Sequence, residues 1–122
     1  MDGRGFIGIE RDSKSGWVVV KRVGAQIRQC KYFMDSPAGI ARLTQFIRES
    51  CERPKIGLRS TSRAALKLIR YISGIPDVEV ILISDAGLRT HQAWLPELMT
   101  HPFMQRSANQ AETLARCAER MI

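Results

Sequence analysis

The sequence lacks any long apolar run: its most apolar segment, Val78–Ile83, is short and contains Glu79. A helix that crosses a bilayer needs about 20 predominantly apolar residues, so no transmembrane helix is expected. The first residues, Met1–Gly5, also lack the apolar stretch that follows the charged start of a secretory signal. We therefore expect a cytoplasmic protein with no membrane partner.

Cysteine and histidine are scarce and widely spaced. The three cysteines, Cys30, Cys51 and Cys117, form no Cys-x-x-Cys pair, and the two histidines are His91 and His101. A structural zinc site needs four Cys or His ligands at characteristic short spacings, so we expect no zinc site. The cysteines are predicted to be reduced, as is usual for cytoplasmic proteins.

Acidic residues are few as well: 12 Asp and Glu stand against 19 Lys and Arg, which gives a net charge of +7. A basic domain meets the first criterion for a nucleic-acid partner. Net charge alone, however, provides attraction without defining a site. The 122 residues, 44% hydrophobic and 25% charged, are predicted to form one globular domain spanning residues 1–122.

Three β-type segments open the chain: Phe6–Glu10, Gly16–Val23 and Gln26–Phe33. Two residues, Gly24 and Ala25, separate the second segment from the third, which is typical of a tight hairpin. We therefore predict three successive antiparallel strands.

Helices and strands alternate after this point. Ser36 and Pro37 are typical of a helix start, and a second helix with one apolar face follows Ser60–Ser62. The strand between the two helices is Lys55–Arg59. The next strand, Asp77–Ser84, is nearly continuous in apolar residues, which predicts cover on both of its faces.

The end of the chain completes the pattern. A helical stretch is predicted over Asp85–Trp94, and the last helix has a small-residue face that includes Ala111. The order β-β-β-α-β-α-β-α predicts an α/β fold, the ribonuclease-H-like five-stranded mixed sheet, with three antiparallel strands, then two parallel strands, and helices on both faces. Phe6–Glu10 is predicted to be central, between Gly16–Val23 and Lys55–Arg59.

Five short segments, in chain order, are Gly8–Lys14, Phe33–Gly39, Leu58–Thr61, Ile81–Arg89 and Ser107–Ala115. Taken together, they resemble the RuvC-like N-terminal domain of the DEDD transposases, the Piv/MooV-type insertion-sequence recombinases. The first segment is similar to the Gly-Ile-Asp start of that domain. The last is similar to its Asp-x-x-Asp-Ala-x-x-Leu-Ala helix.

The resemblance implies a site in which four acidic residues hold divalent metal for phosphodiester chemistry. At the four corresponding positions this sequence has Glu10, Arg59, Ser107 and Gln110. Only one of the four acidic residues is therefore present. A guanidinium at Arg59 can instead pair with Glu10 or with a phosphate. The resemblance therefore implies a catalytically inactive transposase-like domain with no bound metal.

Two alternatives remain open. Asp12 follows Glu10 by two residues, so an extended strand places both on one face, and with Asp85 and Glu112 they could form a rearranged magnesium site. That arrangement would make the chain a divergent metal-dependent nuclease or recombinase. The second alternative is a scaffold with an actin-like fold, although no glycine-rich phosphate loop follows the first strand.

The second helix carries a basic stripe. Arg63, Lys67 and Arg70 recur at i, i+4 and i+7, and Arg59 lies just before them. These four residues are the predicted contacts to the phosphates of DNA or RNA. An ordinary solvated helix face is the competing interpretation, because no aromatic residue interrupts the stripe for base stacking. A protein partner also stays open, and the sequence indicates no oligomeric state.

Overall fold

The fold is built on one mixed sheet flanked by helices, and the computed structural model describes residues 4–11, 16–23, 27–50, 53–86 and 105–120. The strands are β1 (Arg4–Arg11), β2 (Gly16–Val23), β3 (Ile27–Met34), β4 (Arg53–Arg59) and β5 (Glu79–Ile83). The helices are α1 (Pro37–Ser50), α2 (Arg63–Ile72) and α3 (Gln105–Arg120).

The strand order is β3-β2-β1-β4-β5. β1, β2 and β3 pair antiparallel, whereas β4 pairs parallel with β1 and β5 parallel with β4. This arrangement confirms the predicted ribonuclease-H-like fold, with β1 in the centre between β2 and β4.

Two helices cover one face of the sheet. Alternate residues of β1 and β4 point to this face, and they share the main core with buried residues of α1 and α2. The core includes Ile7, Ile9, Ile56 and Leu58 from the strands and Leu43, Ile47, Leu68 and Ile72 from the helices. The amphipathic pattern of both helices therefore places their polar faces outward.

Serine caps begin both helices, as the sequence predicts. The Ser36 Oγ accepts a hydrogen bond from the Gly39 N–H at 3.0 Å, and the Ser62 Oγ accepts one from the Ala65 N–H at 3.1 Å. Each cap satisfies an N–H that has no partner within the helix. Only three residues, Ser60–Ser62, separate the end of β4 from the start of α2, so α2 begins close to the carboxyl end of that strand.

α3 covers the opposite face and approaches it closely. Gly8 of β1 and Gly57 of β4 are register neighbours, and a Cβ on either would overlap a backbone carbonyl oxygen of α3. These two glycines form a shallow trough in which the helix lies. Glycine is needed at both positions because any side chain would collide with the helix backbone, and not because the chain turns there.

Two contacts give the direction of α3. Ala111 packs with Val18 and Val20, whereas Glu119 pairs with Arg22 at 3.6 Å. Because Val18 lies opposite Glu10 in the β1–β2 register, the N-terminal half of α3 lies toward the carboxyl end of β1.

β5 differs from the prediction. It spans Glu79–Ile83 at one edge of the five-stranded sheet and is shorter than the predicted Asp77–Ser84. Both of its faces have cover: Val80 packs on the main core, and Ile81 and Ile83 pack against α3. The cover is incomplete at this edge, because Leu82 is 45% exposed.

Parts of three predictions lie outside the described residues: the hairpin turn at Gly24 and Ala25, the helix Asp85–Trp94 beyond Ala86, and Cys51. Of the helices that the structure describes, none has the length and apolar character needed to cross a bilayer.

Candidate functional site

The carboxyl ends of the parallel strands meet at one edge of the sheet, where open α/β sheets commonly place their sites. Glu10 is near the end of β1, Arg59 ends β4, and Asp85 follows β5. Ile9 and Leu58 belong to the core beneath α1 and α2, so their neighbours Glu10 and Arg59 point to the α3 face.

The Arg59 guanidinium lies between two carboxylates. Its Nη2 is 3.2 Å from the Glu10 Oε2, and its Nε is 3.8 Å from the Asp85 Oδ1. The Thr61 Oγ1 donates a hydrogen bond to the same Asp85 oxygen at 3.3 Å. We call Glu10, Arg59 and Asp85 the arginine cluster.

Burial strengthens the contact with Glu10. The Glu10 side chain is 10% exposed and the Arg59 side chain is 26% exposed, so their attraction is screened less by water than that of a surface pair. Asp85 is more exposed and is the weaker partner. The cluster is therefore held together mainly by the ion pair between Glu10 of β1 and Arg59 of β4.

The arginine cluster does not fit a magnesium ion. Mg²⁺ requires oxygen ligands in near-octahedral geometry, whereas a permanently charged guanidinium lies between the two carboxylates here. In the part of the chain that the structure describes, no three His, Cys, Asp or Glu side chains are grouped to hold a metal.

The other positions implied by the resemblance lie on α3. Ser107 and Gln110 are in its N-terminal half, the half that lies toward the carboxyl end of β1. Glu112 follows Gln110 by two residues on the same helix. Asp12, which the alternative magnesium site requires, lies outside the described residues.

The basic stripe of α2 is exposed. Arg63, Lys67 and Arg70 all face solvent, whereas Ala65, Leu68 and Ile72 are buried. Arg59 does not join the stripe, because its side chain is directed to the α3 face and is engaged by the two carboxylates. The structure thus separates the four predicted phosphate contacts into a group of three and a single residue.

The neighbouring helix extends the positive surface. α1 carries exposed Arg42 and Arg48, and its one carboxylate, Glu49, accepts a hydrogen bond from the Gln45 side chain at 3.1 Å. The sequence of α2 contains three cations and no acidic residue. The layer formed by α1 and α2 therefore has five Lys or Arg against one Glu.

Tyr71 was missed by the sequence analysis. It is 57% exposed, follows Arg70 directly and lies one helical turn after Lys67. Residues four apart are neighbours on a helix surface, so an aromatic ring borders the basic stripe after all. The signal in the sequence was that Tyr71 falls outside the apolar face of α2, which contains Ala65, Leu68 and Ile72.

No known protein family and no curated protein matches this chain. The fold and the geometry described above are therefore the basis for any functional conclusion. They define a ribonuclease-H-like domain in which an arginine occupies the carboxyl edge of the sheet and a basic helical layer covers one face.

Proposed function

We propose that this chain is a catalytically inactive RuvC-like domain, a degenerate relative of the DEDD transposases, that binds nucleic acid without sequence specificity. The observation that carries the proposal is the Arg59 guanidinium between Glu10 and Asp85. This contact supports a site in which the arginine, instead of metal ions, neutralises the negative charge of the carboxylates.

The loss of activity follows from charge. Two-metal phosphodiester chemistry depends on carboxylates that hold both ions near the attacking and leaving oxygens. The arginine cluster uses its carboxylates to pair with Arg59, and a cation cannot also ligate a metal ion. Cleavage through this cluster would first require the guanidinium to leave a largely buried partner.

The binding activity is assigned to the basic stripe, Arg63, Lys67 and Arg70 of α2. All three cations are exposed on one helix, with no acidic residue of α2 among them. Cations in this arrangement neutralise phosphates and release counterions, which gives affinity without reading the base sequence. The net charge of +7 adds long-range attraction.

A second candidate function is a divergent metal-dependent nuclease or recombinase. The observation that favours it is that Glu10, in β1, and Asp85, just after β5, approach the same guanidinium. If Arg59 moved away, these two carboxylates would be left as neighbours at the carboxyl edge.

One experiment tests both candidates. End-labelled DNA of random sequence is incubated with the protein and either Mg²⁺ or Mn²⁺, and the products are examined by fluorescence anisotropy and on a denaturing gel. The proposal predicts a bound state with intact DNA under both conditions. Metal-dependent cleavage that is lost in Glu10→Gln would establish the nuclease instead, and absence of binding at low salt would remove the nucleic-acid function.

A further inference from the structure

Tyr71 borders a groove between α2 and the start of α1. The other walls are formed by Pro37, Ile40, Ala41 and Thr44, together with the Asp35–Ser36 segment that precedes the helix. The groove is open to solvent, and its volume of about 470 Å³ falls within the range of small-molecule sites. A single nucleobase fits in this space.

The polar side chains on the α1 side of the groove have partners within the chain. Asp35 pairs with Arg11 at 3.2 Å, Ser36 caps α1, and the Thr44 hydroxyl donates to the Ala41 carbonyl at 2.8 Å. The negative charge of Asp35 is therefore offset. What the groove offers a ligand is mainly a ring face and aliphatic walls, which suit stacking more than hydrogen-bonded readout.

Cations lie directly beside this ring. Lys67 is one helical turn before Tyr71 and is therefore its neighbour on the helix surface, and Arg70 follows Lys67 by three residues on the basic stripe. A positively charged track next to an exposed aromatic ring is the combination by which proteins bind single strands. In a duplex the bases are paired and stacked, so they cannot enter such a groove without being extruded.

We propose that the groove beside Tyr71 takes an unpaired base of a single-stranded nucleic acid while Lys67 and Arg70 neutralise the adjoining phosphates. This inference rests on the proposed function, because in each of them the basic stripe binds the phosphates of the nucleic acid. It adds that single strands bind more tightly than duplexes. Because a base stacks in the same way whichever sugar carries it, DNA and RNA strands should bind alike.

The test measures fluorescence anisotropy with three probes: a 15-nucleotide dT strand, the matching U strand and a 15-base-pair duplex. One base–aromatic stack changes affinity by about 5- to 150-fold. Tyr71→Ala should therefore weaken binding of both single strands by about 10-fold, and Tyr71→Trp, which keeps a ring, should retain it. Duplex affinity and the salt dependence of all three probes should be unchanged by Tyr71→Ala, since stacking releases no counterions.

Two controls keep the result interpretable. Tyr32→Ala removes another exposed tyrosine, 40% exposed on β3, and should change nothing. Ala41→Phe fills the groove from the α1 side and should weaken single-strand binding even if Tyr71→Ala proves unstable.

Each outcome bears on a different claim. Equal affinity for strand and duplex, or full binding by both groove variants, would overturn this inference and leave the proposed function standing. A strong preference for one sugar would also contradict it, because stacking alone does not distinguish them. Absence of binding to every probe would refute the proposed function itself.

Discussion

Replacing Arg63, Lys67 and Arg70 together by Gln should flatten the salt dependence of nucleic-acid binding. Each neutralised phosphate contributes about 0.7 to the slope of log affinity against log salt on single strands and about 0.9 on duplex DNA. Three contacts therefore contribute about 2.1 on a dT strand and about 2.7 on a duplex. The slope of the variant should be smaller by these amounts.

The same arithmetic gives a directly measurable loss. Between 50 and 200 mM salt, three single-strand contacts account for about an 18-fold fall in affinity, and three duplex contacts for about a 40-fold fall. The variant should lack this component and keep whatever salt dependence arises from Arg42, Arg48 and other cations. Preference between base sequences should not change, because phosphate contacts carry no sequence information.

The fold should tolerate the three substitutions. All three side chains are exposed, and Gln has nearly the helix propensity of Lys and Arg. Arg63 lies in the first turn of α2, where a positive charge opposes the helix dipole, and Arg70 lies in the last turn, where it is favourable, so the two losses offset each other. Thermal unfolding midpoints of variant and wild type should therefore agree closely.

A matched control separates local contact from net charge. Lys31→Gln with Arg53→Gln removes two exposed cations from the strands, and Lys67→Gln with Arg70→Gln removes two from the stripe. Anisotropy titrations across a salt series should show a reduced slope only for the stripe pair. An unchanged slope in the triple variant, or equal reductions in the two pairs, would show that the stripe is merely a solvated helix face.

Four further predictions concern metal binding and stability. Calorimetric titration with Mg²⁺ or Mn²⁺ should show no saturable micromolar binding; such binding, lost in Glu10→Ala, would reveal a functional metal site. Arg59→Gln leaves a largely buried carboxylate without its cation, so the free energy of unfolding should fall by about 1–3 kcal/mol in urea titrations, with partial recovery in the double variant with Glu10→Gln. Gly8→Ala places a methyl group against the Ala111 carbonyl, and the forced shift of α3 should cost at least about 1–3 kcal/mol; an unchanged midpoint would mean that the helix does not lie so close. Ser62→Ala removes the cap of α2 and should cost about 1 kcal/mol by the same measurement, and no change would indicate that water replaces the hydroxyl.

Local signals predicted the framework well. The switch from strand-like to helical periodicity, with serine caps at Ser36 and Ser62, depends on neighbouring residues alone, and the structure confirms both caps. The order of elements then restricted the topology, because parallel strands need right-handed crossovers. Central placement of β1 followed from these rules.

Features that depend on distant residues were not predictable. The close approach of α3 to Gly8 and Gly57 requires knowledge of which helix crosses which strands. The groove beside Tyr71 likewise depends on where α1 lies relative to the end of α2. Leu82 of β5 shows the same limit, because an apolar side chain does not reveal whether its strand is internal or at an edge.

The sheet itself separates the two proposed properties of this domain. The arginine cluster points to the α3 face, whereas the basic stripe and the Tyr71 groove lie in the helical layer on the other face. Substitutions that share no partners act independently. Arg59→Gln should therefore reduce stability without changing the salt slope, and the triple stripe variant should change the slope without reducing stability. This double dissociation is what a domain would show if it had lost its metal chemistry at one edge of the sheet while its binding surface stayed intact on the opposite face.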